Sequence, residues 1–347
     1  MNKLPTSHYS KVKHLIKSNN EISVFGVIDE IAPGEIYVNN IGNPTCALIK
    51  TSECNLVTGT PDDGFITQIS SELGFWDTVT PDSSKWFDKI PMLHKNKFIR
   101  PFKRHKYTLS KEHFSERITE LPEGFTLEKV DLDALRSSSY KNAELLLDWI
   151  ADWLCDKSFN EQGAGQYIRN DDTIVSWSFG DCYYDDEITI GVYTDRNFRK
   201  HGFGIQVVSE TVKECFAKGY KTINWLCVET NLGSISIAKK LGLVHANDYY
   251  FFCSFLPSEN LHDISESEWL NWAKYLEESS AQEPRLIEEC LYTYFKANNV
   301  AKAIEIIGRI EVPKMSTYKR DVTYFRSMGL CSNFSSAEWL EFVGRDE

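Results

Sequence analysis

The residues best placed to do chemistry stand together in Arg199-Lys200-His201-Gly202-Phe203-Gly204, between an apolar run ending at Thr194 and a helical pattern opening at Ile205. Strand, glycine loop and helix in that order make an anion site. The first N–H groups of a helix have no intrahelical acceptor and sit at the positive end of its dipole. Glycines remove the Cβ atoms that would keep a phosphate from the main chain. The hexapeptide alone is also an ordinary exposed loop, and Lys200 and His201 divide evenly between adding charge and facing water.

Other chemistries find little footing. The loop is neither the Gly-x-x-x-x-Gly-Lys-Ser/Thr of nucleoside triphosphate sites nor the Gly-x-Gly-x-x-Gly of dinucleotide folds. Apart from His262 and Glu266, no histidine pairs at i, i+4 with a carboxylate or cysteine, so no metal site is expected, and there is no Gly-x-Ser-x-Gly elbow. Cys215 and Cys227 fall on apolar faces, where a thiol is core filling. The nine cysteines are scattered without a Cys-x-x-Cys pair, which suits a reducing compartment.

The elements that must position the loop are legible as patterns. Residues 125–130, 165–168, 173–179 and 187–194 read as strands, 205–218 as a helix ended by Gly219, and 222–228 as a strand buried on both faces. A helix over 234–241 ends at Gly242, and 249–256 reads as a final strand. Residues 133–155 read as one long helix. Upstream, 23–28, 35–38 and 47–50 read as strands and 62–76 as a helix, with 81–91 as loop. Downstream, 265–279 opens with the capping-box spacing Ser265-x-x-Glu268, and 284–298 and 300–310 continue as helices. The basic stretch 95–107 has aromatics that suit single-stranded nucleic acid, but Lys and Pro on an edge strand explain it better.

A length of 347 residues implies two or three domains. The hydrophobic fraction of 42% against 25% charged residues is that of a folded globular chain. The net charge of -12 argues against broad binding to nucleic acid or an anionic membrane and favours a cationic substrate by steering. With no apolar leader or membrane-length run, a soluble, cytoplasmic protein is expected.

The loop resembles the pyrophosphate loop of the GNAT superfamily of acyl-CoA N-acyltransferases, Gln/Arg-x-x-Gly-x-Gly/Ala between the fourth strand and third helix. That family's second signature, an Asn before a short helix ending Leu-Gly-Phe, is matched by Asn231-Leu-Gly-Ser-Ile-Ser-Ile-Ala-Lys-Lys-Leu-Gly-Leu243. The resemblance covers about residues 116–256. The layout is similar to the zwittermicin-resistance type, in which a degenerate N-terminal half precedes the functional one.

The resemblance implies an α/β fold with a mixed sheet of the GNAT type over 116–256. An N-terminal mixed α/β domain over 1–115 and a C-terminal helical domain over 257–347 would flank it. It implies acetyl-CoA as co-substrate. The main chain of Val192, Tyr193 and Thr194 would pair with the pantetheine arm. Arg199, Lys200, His201, Gly202, Phe203, Gly204 and Ile205 would wrap the pyrophosphate, and Asn231 would bond the cofactor further along. The expected reaction is direct attack of an amine on the thioester in a ternary complex, an N-H of the fourth strand stabilising the oxyanion.

The sequence departs from the family where proton transfer is concerned. Ala238 stands where many relatives have a Tyr, Leu226 where some have a carboxylate, and Tyr193 where the zwittermicin-resistance type tends to have Glu. Glu229 is therefore nominated as base and Tyr193 as acid, with Tyr249 or Tyr250 as substitutes, since only one of that pair can face the cleft. The acceptor is expected to be a small-molecule amine, such as an amine antibiotic, polyamine or amino sugar. No nucleic acid, membrane or metal is expected, and the C-terminal helices offer a protein contact. Two alternatives stay open: a non-catalytic acyl-CoA-binding module and a protein or peptide N-acetyltransferase.

Overall fold

The computed structural model describes residues 2–309 except 19, 71, 74–76, 94–99, 118–119, 151–152, 254–263, 283 and 285. The N-terminal stretch gives β1 (Asn2–Lys3), α1 (Ser23–Ile28), β2 (Glu35–Val38), β3 (Cys46–Lys50), β4 (Asn55–Gly59), α2 (Asp63–Ile69), β5 (Val79–Pro81) and β6 (Arg100–Leu109). The middle gives β7 (Phe125–Lys129), α3 (Leu132–Ser137), α4 (Ala143–Ile150), α5 (Asp156–Gln162), β8 (Gly165–Asn170), β9 (Thr173–Tyr184) and β10 (Glu187–Thr194). Then come α6 (Phe203–Ala217), β11 (Thr222–Val228), α7 (Leu232–Leu241), β12 (Val244–Cys253), and the helices α8 (Glu266–Ser279), α9 (Leu286–Lys296) and α10 (Val300–Ile307).

The chain divides into two compact units. The first takes in residues up to 69, 78–87 and 102–251, and the second the stretches 70–77, 88–101 and 252 onward. The strands form one mixed sheet of order β1-β2-β3-β4-β5-β12-β6-β11-β10-β9-β8-β7. Pairings β4–β5 and β10–β11 are parallel, while β6–β11, β9–β10 and β8–β9 are antiparallel. Strands from residues 1–115 and from 116–256 thus belong to the same sheet, with β6 between β12 and β11.

Alternation along the central strands divides the core in two. Ile188 and Ile190 of β10 and Ile223, Trp225 and Cys227 of β11 pack with Val207, Val208 and Val212 of α6 and Ala238 and Leu241 of α7. On the opposite face, Trp177 and Phe179 of β9 pack with Leu146 and Ile150 of α4, and Tyr193 joins them. Burial pushes the Cys215 thiol up, as core filling requires. In the second unit, Glu277 of α8 accepts from Lys302 at 3.0 Å and Arg309 at 3.4 Å, while Trp269, Leu276, Leu291 and Phe295 are buried. The Ser265/Glu268 capping box opens α8 as its spacing requires.

Four expectations need correction. Residues 23–28 form α1, not a strand, because Val24, Val27 and Ile28 are buried at helical spacing and tertiary burial overrides their β-propensity. The helix expected over 133–155 is interrupted: α3 ends at Ser137, Asn142 adopts φ 69°, and its side-chain amide donates to the Ile174 carbonyl at 2.9 Å. The helix over 62–76 is only Asp63–Ile69, although Leu73 beyond it is buried; residues 71 and 74–76 lie outside the described ones. The basic stretch is not an edge strand. Residues 95–99 lie outside the described ones, but β6 is interior, with Lys106 and Tyr107 buried and Arg104 to Leu109 paired with Val228 to Ile223.

Gly242 ends α7 at φ 88°, and a Cβ there would stand 2.1 Å from the His113 carbonyl oxygen. Both facts demand glycine. Gly242→Ala is therefore expected to lower unfolding stability by about 1–3 kcal/mol, read from urea midpoints; a parent-like midpoint would contradict the packing described.

Candidate active site

The cleft is opened by a change in pairing. Strands β10 and β11 run parallel only over Glu187↔Thr222, Ile188↔Ile223 and Thr189↔Asn224, whereas β9 follows β10 as far as Thr194↔Ser176. At the divergence the β9–β10 register slips between Thr189 and Ile190, leaving Asp181 as the extra residue of a bulge. Beyond Thr189, the β11 side of β10 therefore has no strand partner among the described residues. A sheet edge inside the molecule is a template for an amide-bearing chain.

The glycine loop closes the end of this gap. Lys200 and Gly202 both have positive φ, 66° and 84°, and Gly202 is the N-cap of α6. No side chain caps this helix and its first turn holds no acidic residue, so its leading N–H groups point out of an uncompensated positive end. A Cβ on Gly202 would meet nothing within 4 Å, so the glycine serves conformation and open space there. Gly204 serves contact, since a Cβ would stand 3.0 Å from Thr194 Oγ1 and 3.3 Å from Ile237 Cδ1. It lets α6, α7 and the end of β10 meet.

The expected site residues come to one place with differing engagements. Val192, Tyr193 and Thr194 lie on the stretch of β10 that β11 does not follow, while β9 still pairs with them. Ser176 Oγ donates to the Tyr193 carbonyl at 2.9 Å, and Arg199 turns back so that Nε donates to the Thr194 carbonyl at 3.1 Å. The His201 ring stacks on Phe203, with centroids 5.7 Å apart. Ile205 lies in the first turn of α6. Asn231 caps α7, its Oδ1 accepting from the Ser234 N–H at 3.0 Å, and Trp225 Nε1 donates to Ser234 Oγ at 2.9 Å. Tyr193 rests against Trp177, centroids 4.3 Å apart. Glu229 is exposed at the end of β11, its carboxylate 3.3 Å from Lys103 Nζ. Ala238 is fully buried.

Of the two tyrosines on β12, Tyr249 is the buried one. Its hydroxyl donates to Glu21 Oε1 at 2.6 Å, and burial, then the Glu21 charge, pushes its pKa well up. Tyr250 is exposed and meets Phe87 edge-on.

Several polar groups were missed by the pattern reading. A Cβ on Gly191 would stand 2.8 Å from both carboxylate oxygens of Asp181, which places that carboxylate beside β10 on the face Tyr193 occupies. Lys106, opposite Leu226, is buried, and burial pushes its ammonium pKa down against the raising effect of Glu187 and Glu21. Glu187 accepts from Asn224 Nδ2 at 2.8 Å, while Asn224 Oδ1 is buried without a hydrogen-bond partner. Buried Glu21 also meets Arg104 Nη1 at 3.3 Å. No local motif marks Asp181: its place beside β10 depends on a bulge, which sequence spacing does not show.

Parallel strands that part after three residue pairs, a glycine loop at a helix start and a second short helix define an acyl-CoA N-acyltransferase fold. Residues 13–252 match the GNAT acetyltransferase family, and the chain belongs to it. It is an acyltransferase, and the match takes in the N-terminal half as well as the loop. A GCN5-related N-acetyltransferase-like protein from Streptococcus suis is similar at 20% identity with a TM-score of 0.59, over 71% of this chain and 98% of that one. This likeness shows the fold. A Drosophila protein (13% identity, TM-score 0.46, 74% of this chain and 99% of that one) is more distant. So is a tandem GNAT protein from the clavulanic acid biosynthesis pathway (9%, 0.48, 74% and 98%). No curated protein matches the chain.

Gly202→Asp tests the anion site, because a carboxylate at the N-cap would answer the helix amides itself. No atom stands in the way of a Cβ at Gly202, and Asp is among the residues that best tolerate its φ of 84°, so folding of the variant is checked by its far-ultraviolet spectrum before binding is read. By calorimetry it is expected to bind CoA at least about tenfold more weakly than the parent; affinity within a few fold would show that the pyrophosphate lies elsewhere.

Proposed function

We propose that the protein transfers an acetyl group from acetyl-CoA to a primary amine of a small cationic molecule by direct attack. The observation that carries this reading is the gap between β10 and β11 with the uncapped start of α6 at its end. Acetyl-CoA supplies the thioester acyl group. The residues suit such a donor: loop amides from Lys200 to Ile205 for a pyrophosphate, and the side of β10 over Val192 to Thr194 that β11 does not follow for amides.

The acceptor side carries carboxylates. Asp181 and Glu187 lie with Tyr193 on the face away from α6 and favour an ammonium by charge, while Arg104 answers Glu21. An alkylammonium with pKa near 10.4 must shed a proton before it attacks. Asp181, next to the unpaired strand, is the best-placed base, acting directly or through water. Glu229, tied to Lys103 at the exposed end of β11, is the second nominee. Tyr193, at the open strand, is the nominee for protonating the leaving thiolate.

With a panel of amines and acetyl-CoA, thiol release is expected to exceed background hydrolysis for at least one amine and to rise toward alkaline pH. An amine-independent rate across a broad panel would favour a non-catalytic acyl-CoA-binding module, which buried Ala238 in place of a tyrosine keeps in contention.

Two substitutions divide the proton transfers. Tyr193→Phe keeps the ring against Trp177, and turnover is expected to fall at least about tenfold with CoA affinity unchanged. Asp181→Asn should displace the alkaline rise in kcat/KM to higher pH. Unchanged profiles in both would pass these roles to solvent or to Glu229.

A further inference from the structure

Three side chains with metal-ligand chemistry meet on strands that the cleft does not use. His105 lies on β6, and His245 and Asp248 lie on β12, its neighbour in the sheet. His105 Nδ1 and His245 Nε2 each stand 2.6 Å from the same oxygen, Asp248 Oδ1. The three potential ligand atoms all lie within 4.8 Å of one another. We propose that His105, His245 and Asp248 bind a first-row divalent transition metal ion, Zn²⁺ being the fitting type, across β6 and β12.

The donor set is two imidazole nitrogens and one carboxylate, which suits Zn²⁺ and its neighbours and not Mg²⁺ or Ca²⁺. Around a tetrahedral Zn²⁺ with bonds of about 2.0–2.1 Å, ligand atoms stand about 3.3 Å apart. Opening the two 2.6 Å contacts to that spacing takes less than an ångström of side-chain rotation. Side-chain exposures of 48% for His245 and 37% for Asp248 give an ion access and leave its remaining position to water. Tyr107 holds the imidazoles from the side, its ring centroid 6.1 Å from His105 and 5.4 Å from His245.

The charges facing the site are Asp248, Lys103 and, through Lys103, Glu229. Lys103 Nζ is 3.7 Å from Asp248 Oδ2 and 3.3 Å from Glu229. It occupies the carboxylate oxygen that the imidazoles do not, so it steadies Asp248 as an outer partner, while Glu229 offsets its positive charge. Without an ion, each ring nitrogen facing Asp248 must carry a proton to donate. The rival is a plain His–Asp–His tie between strands, with no ion.

The test uses the full chain without a purification tag, stripped by chelator and dialysed. Zn²⁺ is titrated in competition with a chromophoric chelator, and Co²⁺ reports ligation by its visible spectrum. Stoichiometric binding is expected, with a higher thermal midpoint from bridging β6 to β12. His245→Ala and Asp248→Asn should each weaken binding at least about tenfold, leaving the far-ultraviolet spectrum and CoA affinity unchanged. His245 is exposed, so that variant serves if Asp248→Asn does not fold. No binding up to about 100 µM, or equal binding in parent and variants, would overturn the site. This result is independent of acetyl transfer, since no readout depends on the amine or the thioester.

Discussion

Two parallel strands that share three residue pairs and then part set the terms for the rest of this molecule. Keeping β10 and β11 together would satisfy their main-chain groups, and buried N–H and C=O groups left unpaired cost roughly 1–3 kcal/mol each. The cost is avoided where a ligand or water supplies the partners. The bulge at Asp181 bends β9 without breaking its ladder to β10, which runs to Thr194. Because that ladder persists, the free edge of β10 is held rigidly, and a rigid edge is what recognition through main-chain bonds requires.

The same divergence explains why the two glycines of the loop differ. Gly204 brings α6 against β10 and α7, closing the wedge on one face, and any side chain there would push the helix from the strand. Gly202 stands in open space with a left-handed backbone, so its lack of a side chain matters to whatever enters the wedge. One glycine shapes the walls and the other keeps the mouth clear. Asn231 does comparable work for α7 by capping its first turn, with Trp225 tying that turn to β11.

How much of this could be read in the residues depends on the range of the interaction. Local signals succeeded: the strands around 173–194 and 222–228, the helix stops at Gly219 and Gly242, the capping box at Ser265 and the strand–loop–helix at 194–205 are set by neighbours a few residues apart. Residues 23–28 failed because a β-branched run is equally good on one face of a short helix, and the choice is made by what covers it. The basic stretch failed for a related reason. Lys and Pro protect edges, but Lys106 is buried within reach of Glu187 and Glu21, residues 81 positions later and 85 earlier. The meeting of His105 with His245 and Asp248 was invisible for the same cause: helical spacing rules do not test contacts between strands, and residues three apart in a flat strand face opposite ways.

The acceptor face carries a built-in tension that bears on which proton transfer matters most. Carboxylates that attract an ammonium also stabilise it, and each unit by which a pocket raises an amine's pKa adds 1.36 kcal/mol to the work of deprotonation. Starting from a pKa near 10.4, that work is already about 4.6 kcal/mol at neutral pH. A thiolate, by contrast, departs from a ground-state pKa of about 8.5 and needs less help. The chain's departures from its relatives fall on both steps, but their consequences are unequal. Losing a hydroxyl at Ala238 removes assistance to the easier step. Asp181, which we propose as the acceptor for the harder one, lies on β9, two strands from position 226, at the bulge opposite Thr189 and Ile190. On this reasoning the amine's deprotonation is the harder step, and it is the one for which we propose Asp181.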